Sequence, residues 1–421
     1  MLICADSFLM DWMRIITLKG ADIVVLPSNW WGQNRQVDLW SARARQNGVW
    51  ILAANRWGTE PNSYPPPASY YMSDGPSAAV SPSGLIFRQF EADELSTMVD
   101  TILYQTITVP KSRVGGKNPT FTVANRRPSA YTALRNLYYV PPDNKPVPGL
   151  PPPGHQPVSI LAYQPSDDPA TNLQTISSQL QQSPPLAGSL IVLPGLGLSP
   201  RPLDPLGNPA WFTADFWPQV SALVSRDNAQ GLVTSVLVHD SESQQLSLDA
   251  LFIPPKGAPT LFPQVHDSGD LKGSGKAPQL LALEHAEVAV MTGIDSLFPE
   301  MGTEVAKSGA DLAIIVSALG GRGTAAMEAA GISNSLPRAW TMDELAEQWQ
   351  DMADGCMHVV AADASAYAFS ANQAAFCSQG QTTLTYWTSQ TLSLDTTSQR
   401  QKNLNWYYDF DLQTLLGPPT P

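Results

Sequence analysis

Cysteine is scarce in this chain: three among 421 residues, at positions 4, 356 and 377. So few cannot build a disulfide framework, and nothing here signals an oxidising compartment. Basic charge is also short, with 24 Lys and Arg against 37 Asp and Glu, for a formal net charge of -13. A phosphate-backbone partner needs clustered cations, so no nucleic-acid partner is expected, and an anionic membrane surface would repel the chain. Long apolar runs are missing too. The stretch ADLAIIVSAL, from Ala310 to Leu319, is among the longest and is too short to span a bilayer. The N-terminus shows no basic region ahead of an apolar one. Cytoplasm is therefore the expected compartment, with no membrane association.

Metal and nucleotide signatures are absent as well. His155, His239, His266 and His285 show no zinc-ligand spacing and read as ordinary surface or core histidines. ALGGRGTAA, Ala318 to Ala326, lacks both the dinucleotide and the Walker spacing and reads as a loop. No metal and no cofactor are expected.

What is present begins with size: 421 residues at 43% hydrophobic content can bury two or three cores. Val140 to Pro157 reads VPPDNKPVPGLPPPGHQP, too rich in proline for helix or sheet, so it predicts an extended linker. The expected organisation is a domain at 1–139, a linker at 140–157 and a domain at 158–421. In the first, ADIVVLPSNW and GVWILAANRWG have the β-branched content and Pro, Gly or Asn closure of buried strands. Helical patterns run over Ser7 to Leu18 and Val37 to Gln46. Strands alternating with helices predict α/β layers.

The chain also resembles itself. CADSFLMDWMRIITLKGAD (Cys4 to Asp22) aligns without a gap on GIDSLFPEMGTEVAKSGAD (Gly293 to Asp311), and each runs into an apolar strand, IVVLPS or LAIIVS. LWSARARQNGVWILAAN near Trp40 and QWQDMADGCMHVVAAD near Trp349 come next in the same order. An internal repeat is the simplest reading. At one position the first copy carries Cys4 and the second carries Gly293.

ICAD before a helix, KGADIVVLPSNWW, LWSARARQNGVWILAANRWG, DGPSAAVSPSGLIF and RRPSAY, in that order across residues 1 to 131, resemble the second half of a carbon-nitrogen hydrolase of the nitrilase superfamily. The resemblance implies an α/β fold, a nitrilase-like αββα sandwich, present as one partial copy and one full degenerate copy. It implies a cysteine nucleophile, a glutamate general base and a lysine supporting the oxyanion. Cys4 stands at the nucleophile position, and the amide of Ala5 falls where the family places an oxyanion-hole donor. Asn29 and Trp31, after the strand beside the nucleophile strand, are expected to wall the substrate pocket. The glutamate and lysine belong to the family's preceding half, so they are expected from upstream sequence or from a partner subunit.

The second segment resembles a whole copy of that domain. SILAYQPSDDPATNLQTISSQL matches its opening strand and helix, SLIVLPGLGLSP the strand that ordinarily ends in Pro-Glu, and LDALFIPPKG the middle hairpin. The three catalytic positions fall on Gly195, Gln264 and Gly293, so this copy is expected to pack without reacting. The family also pairs through helices flanking the nucleophile. That implies a built-in pseudo-dimer using Ser7 to Leu18 and Ser296 to Lys307, and an oligomeric assembly.

Two functions stand as alternatives. The first is a thiol-dependent hydrolase of carbon-nitrogen bonds in a small amide, nitrile or N-carbamoyl substrate, inactive as residues 1–421 alone because the glutamate and lysine are supplied elsewhere. The second is a non-catalytic assembly or regulatory module with Cys4 as a packed remnant. Asp6 could act as base but is better placed to hold the turn after the strand. Arg43 and Arg45, two apart on a helix, should point to different sides, with at most one facing inward in a salt bridge.

Overall fold

The computed structural model describes residues 1–8, 10–29, 35–55, 77–89, 120–134, 149–161, 163–199, 216–240, 242–317, 357–362 and 389–397, with short stretches at 59–61, 69–71, 102, 104–109, 349 and 366–369. The chain divides into two compact units, one containing Met1–Arg126 and the other containing Arg127–Ser378.

In the first unit a 3-10 turn, Cys4–Phe8, leads into α1 (Met10–Leu18). Then come β1 (Ile23–Ser28), α2 (Arg35–Asn47) and β2 (Trp50–Asn55). A small hairpin of β3 (Thr59–Pro61) and β4 (Ser69–Tyr71) precedes β5 (Ala78–Val80), β6 (Ile86–Gln89) and the short α3 (Phe121–Ala124). The main sheet has the order β1-β2-β5-β6, its first pair parallel and the others antiparallel. The predicted strands form where the apolar periodicity placed them, and the helix expected from Ser7 begins at Met10, after the 3-10 turn. Alternation along β1 explains the packing: Val24 and Leu26 join Met13, Trp40, Ala44 and Ile51 in one core, while Val25 between them is 48% exposed. Met13 therefore faces its own sheet.

The second unit builds two packed sheets. Its elements are β7 (His155–Leu161), α4 (Pro169–Gln182), β8 (Leu190–Val192), α5 (Phe216–Arg226), β9 (Gly231–Asp240), β10 (Gln245–Ile253) and β11 (Thr260–Phe262). They continue with β12 (Leu280–Ala282), β13 (Glu287–Thr292), α6 (Gly293–Ser296), α7 (Pro299–Lys307), β14 (Leu312–Val316), β15 (His358–Ala362), β16 (Ala366–Phe369) and β17 (Ser389–Asp395). β7 starts at His155, so the end of the proline-rich run, Pro157 included, is strand paired with β17. One sheet runs β11-β10-β9-β8-β7-β17 and the other β12-β13-β14-β15-β16. Between them Val158, Val192, Val233 and Phe252 meet Val290, Leu312, Ile314 and Val316. On the outer face of the six-stranded sheet, α4 and α5 bury Ile176, Leu180, Val220 and Val224 against Leu193, Leu232 and Val236. Asp168 caps α4, accepting from the amides of Ala170 and Thr171.

The repeat read in the sequence is a repeat in geometry. Gly20 and Gly309 close α1 and α7 with φ of 99° and 107°. Ala21 N–H donates to Ile16 O at 3.0 Å, as Ala310 N–H does to Val305 O at 3.1 Å. β1 pairs in parallel with β2 from Ile23↔Trp50, as β14 does with β15 from Leu312↔His358. The tryptophans correspond as well: Trp40 Nε1–H donates to Ser7 Oγ at 3.2 Å, and Trp349 Nε1–H to Ser296 O at 2.9 Å. Leu2 N–H bonds Val25 O at 3.1 Å, standing where Met291 of β13 pairs with β14 in the second unit.

Candidate active site

Cys4 stands at the junction between that strand-like entry and the 3-10 turn. Its backbone is left-handed, φ 44°, a conformation that costs a non-glycine residue about 1 kcal/mol or more and persists only where neighbours enforce it. The enforcement is visible. Ser7 Oγ–H donates to Cys4 O at 2.9 Å, and the buried Ser7 is held by the Trp40 indole. Asp6 closes the turn from the other side, its Oδ2 accepting Ile3 N–H at 2.9 Å while its own N–H donates to Ile3 O at 2.9 Å. Asp6 is thus a turn-holding carboxylate. The Cys4 thiol is free and half-buried.

Ala5 lies in the same turn, one residue on. Asn29 directly follows β1 and is exposed. Trp31 falls outside the described residues, as does the glycine-rich stretch from Ala318 to Ala326. Arg43 is fully buried, with Nη1–H donating to Gln46 Oε1 at 3.3 Å, whereas Arg45 lies nearer the surface and donates Nε–H to Ser83 O at 3.1 Å. One faces inward and one outward, as helical spacing requires. Among the described residues no three His, Cys, Asp or Glu side chains gather to hold a metal, and no helix is long and apolar enough to cross a membrane.

The equivalent place in the second unit has the same frame and different chemistry. Gly293 opens α6 and is buried, and Ser296 Oγ–H donates to Gly293 O at 2.6 Å, repeating the Ser7 contact. Gly195, in the loop after β8, donates N–H to Ser317 O at 3.0 Å. Gln264 is 1% exposed and turns its amide to His266 O. Around it lies a polar core that motif reading passes over. Asp295 Oδ1 is 2.8 Å from His266 Nδ1 and also accepts the amides of Val265 and His266 at 3.0 Å. The His266 ring stacks on Phe298 at 3.5 Å. Asp249 is held by Gln264 N–H at 3.1 Å, and burial pushes its carboxyl up to about 6. His266 was the only member of this cluster that composition singled out; Asp295 could have been found as the copy of Asp6.

Residues 1–110 match the carbon-nitrogen hydrolase family. Over these residues the chain is similar to the carbon-nitrogen hydrolases. A probable nitrilase of the fission yeast Schizosaccharomyces pombe is 27% identical over 137 residues, 32% of this chain and 45% of that protein. The chain thus spans about half the length of this nitrilase relative. Solved structures of the superfamily are similar at lower identity. Nit3 of Saccharomyces cerevisiae, a branch 10 member, is 16% identical, with 58% of this chain and 84% of Nit3 covered at a TM-score of 0.38. An amidase from Nesterenkonia sp. is 16% identical over 62% of this chain and 97% of its own, also at 0.38. The matched segment contains the Cys4 turn, β1, α2 and β2.

Proposed function

We propose that the first unit carries the nucleophile of a thiol-dependent hydrolase acting on small amides, nitriles or N-carbamoyl compounds. The observation that carries this reading is Cys4 in a left-handed turn, φ 44°, between a strand-like entry and a helix, where the copy in the same chain has glycine. A thiol kept at a strained position is better explained by chemistry than by packing.

The chemistry runs in two stages. The Cys4 thiolate attacks the carbonyl or nitrile carbon, forming a carbon–sulfur bond, and the developing negative charge meets preorganised donors, with Ala5 N–H as one candidate. For an amide, the tetrahedral adduct expels the protonated amine and leaves a thioester; for a nitrile the adduct is a thioimidate, which one water converts to the same thioester with loss of ammonia. Water then cleaves the carbon–sulfur bond and returns the thiol, with a general base taking its proton. A thiol near neutral pH needs a base or cation beside it to ionise. The proposal assigns those roles to a glutamate and a lysine outside residues 1–126.

The second unit is proposed as a non-catalytic partner retained for its packing. The observation favouring this is the set Gly195, Gln264 and Gly293 at its three catalytic positions, which offers no carboxylate, ammonium or thiol. The test is amidase and nitrilase turnover by the full-length protein with Cys4→Ala beside it. Loss of turnover with an unchanged melting curve supports the nucleophile assignment, and a fully active Ala variant removes Cys4 from the mechanism.

A further inference from the structure

The RRPSAY block has no part in the proposed cysteine chemistry. It places two consecutive arginines, Arg126 and Arg127, three and two residues ahead of Ser129. Guanidinium groups at that spacing before a hydroxyl suit the acidic substrate groove of a basophilic serine kinase, where charge-assisted pairing seats the arginines and delivers the hydroxyl to the nucleotide. A four-residue match recurs by chance, so the surroundings of the hydroxyl decide.

The fold presents it. Ser129 is exposed, whereas Ala130 and Tyr131, the next two residues, are at 0% exposure. Arg126 and Arg127 belong to neither helix nor strand and are half-buried. Ser129 sits in a single 3-10 turn, Pro128–Ala130, with Ala130 N–H on Arg127 O at 2.9 Å and Tyr131 N–H on Pro128 O at 3.3 Å. A turn this short gives up few backbone bonds on opening to the extended form that a kinase groove takes.

The arginine two residues before Ser129 is also a fastener of the second unit. Its guanidinium holds Asp267 at 2.5 Å, with Lys272 at 3.9 Å from the same carboxylate oxygen. Its backbone N–H donates to Tyr131 Oη at 3.3 Å, the hydroxyl that in turn meets His266. The ion-paired side chains are 33% and 28% exposed, so solvent screens the pair and a stronger anion can displace one member. A phosphoserine carries close to two negative charges and three acceptor oxygens, more than one carboxylate offers.

We propose that Ser129 is a phosphorylation site for a serine kinase that reads arginine on the amino-terminal side, and that its phosphate draws Arg127 away from Asp267. In the transfer Ser129 Oγ attacks the γ-phosphorus of ATP, the new Oγ–P bond replaces the bond to the bridging oxygen, ADP leaves, and the hydroxyl proton passes to the kinase's base. Asp267 is then left with Lys272 and the Gly273 amide. The modification thus loosens the second unit at its loop 266–267. It rests on the RRPS segment and not on Cys4, so it stands or falls apart from the hydrolase proposal.

The probe is the catalytic subunit of cAMP-dependent protein kinase with ATP, acting on the full chain. Peptide mass spectrometry is expected to find phosphate on Ser129, close to one per chain, with Arg126→Ala slowing the transfer at least tenfold and Ser129→Ala removing phosphate at this position. Circular dichroism checks that each variant keeps its fold. Phosphorylation should lower the urea midpoint of the otherwise unmodified protein, and lower it less or not at all in Asp267→Asn, where the ion pair is already gone. No phosphate on Ser129, transfer indifferent to Arg126→Ala, or an equal midpoint shift in Asp267→Asn each overturns the proposal.

Discussion

The Tyr131 hydroxyl lies 2.8 Å from His266 Nε2, with both side chains fully buried. Because Asp295 accepts at Nδ1, that nitrogen carries the hydrogen and Nε2 is left to accept from the tyrosine. The same segment is held at Arg127, whose guanidinium meets Asp267 at 2.5 Å, and at Glu304, which accepts the amides of Ala133 and Leu134 at 2.8 Å. Arg127 to Leu134, which belong to the second unit, are thus bonded to its loop at 266–267 and to α7.

Tyr131→Phe should loosen this segment. The change leaves a buried ring nitrogen without its donor, at a cost of about 1–3 kcal/mol. Trypsin cleavage after Arg126 should accelerate about tenfold for each 1.4 kcal/mol lost, because cleavage tracks the opened population. Unchanged cleavage would mean that Arg127 and Glu304 hold the segment without the tyrosine. Glu304→Gln should act in the same direction, since its amide would oppose one of the two backbone N–H groups.

Asp249 gives the second unit a pH dependence. Burial raises its carboxyl to about 6, against the lowering effect of the Gln264 amide and Ser247, with Asp295 adding to the rise. A raised carboxyl holds its proton more tightly in the folded state. Its contribution is complete below the unfolded value near 4 and is lost as pH rises through about 6. The full swing is on the order of 3 kcal/mol. Asp249→Asn should therefore be close to neutral near pH 4 and relatively stabilising near pH 7. Urea midpoints of the two proteins across that window check the sign; parallel curves would remove Asp249 as the cause.

Cys4→Gly and Cys4→Ala separate strain from chemistry. Both lose the thiol, so both should lose reaction with iodoacetamide at this position. Glycine adopts φ 44° freely, whereas alanine keeps the strain, so the glycine variant should melt as the more stable of the two by about 1 kcal/mol. Equal melting temperatures would show that the turn does not burden its central residue.

The elements of both units were legible because the cues were local: β-branched runs closed by Pro, Gly or Asn made β1 and β2, and an ungapped self-alignment exposed the repeat. The nucleophile turn was legible only as a position, since nothing in ICAD announces a left-handed cysteine. The contacts that join Tyr131, His266 and Asp295 were not legible, although His266 and Asp295 could each be picked out singly. Tyr131 stands 135 residues before His266, and no periodicity records a contact that only the folded loop after β11 creates. Burial also assigned Asp249 a property that composition cannot carry, because the shift comes from what surrounds the carboxyl.

Gly20 offers the cleanest test of the repeat as a physical unit. It ends α1 in a Schellman arrangement, with Gly20 N–H on Thr17 O at 2.9 Å and Ala21 N–H on Ile16 O at 3.0 Å. Its φ of 99° is open to glycine and costly for a residue with a Cβ. A Cβ built there would meet nothing within 4 Å, so any penalty is backbone strain and not a clash. Gly20→Ala should cost about 1–2 kcal/mol, and Gly20→Asn less, since asparagine tolerates the left-handed region better. Gly309, with φ 107° in the second copy, should show the same order of penalties. Melting curves for the four variants decide it. An alanine tolerated without loss at either site would mean that the loop relaxes to a right-handed conformation there, and that the two helix ends are alike in sequence but not in constraint.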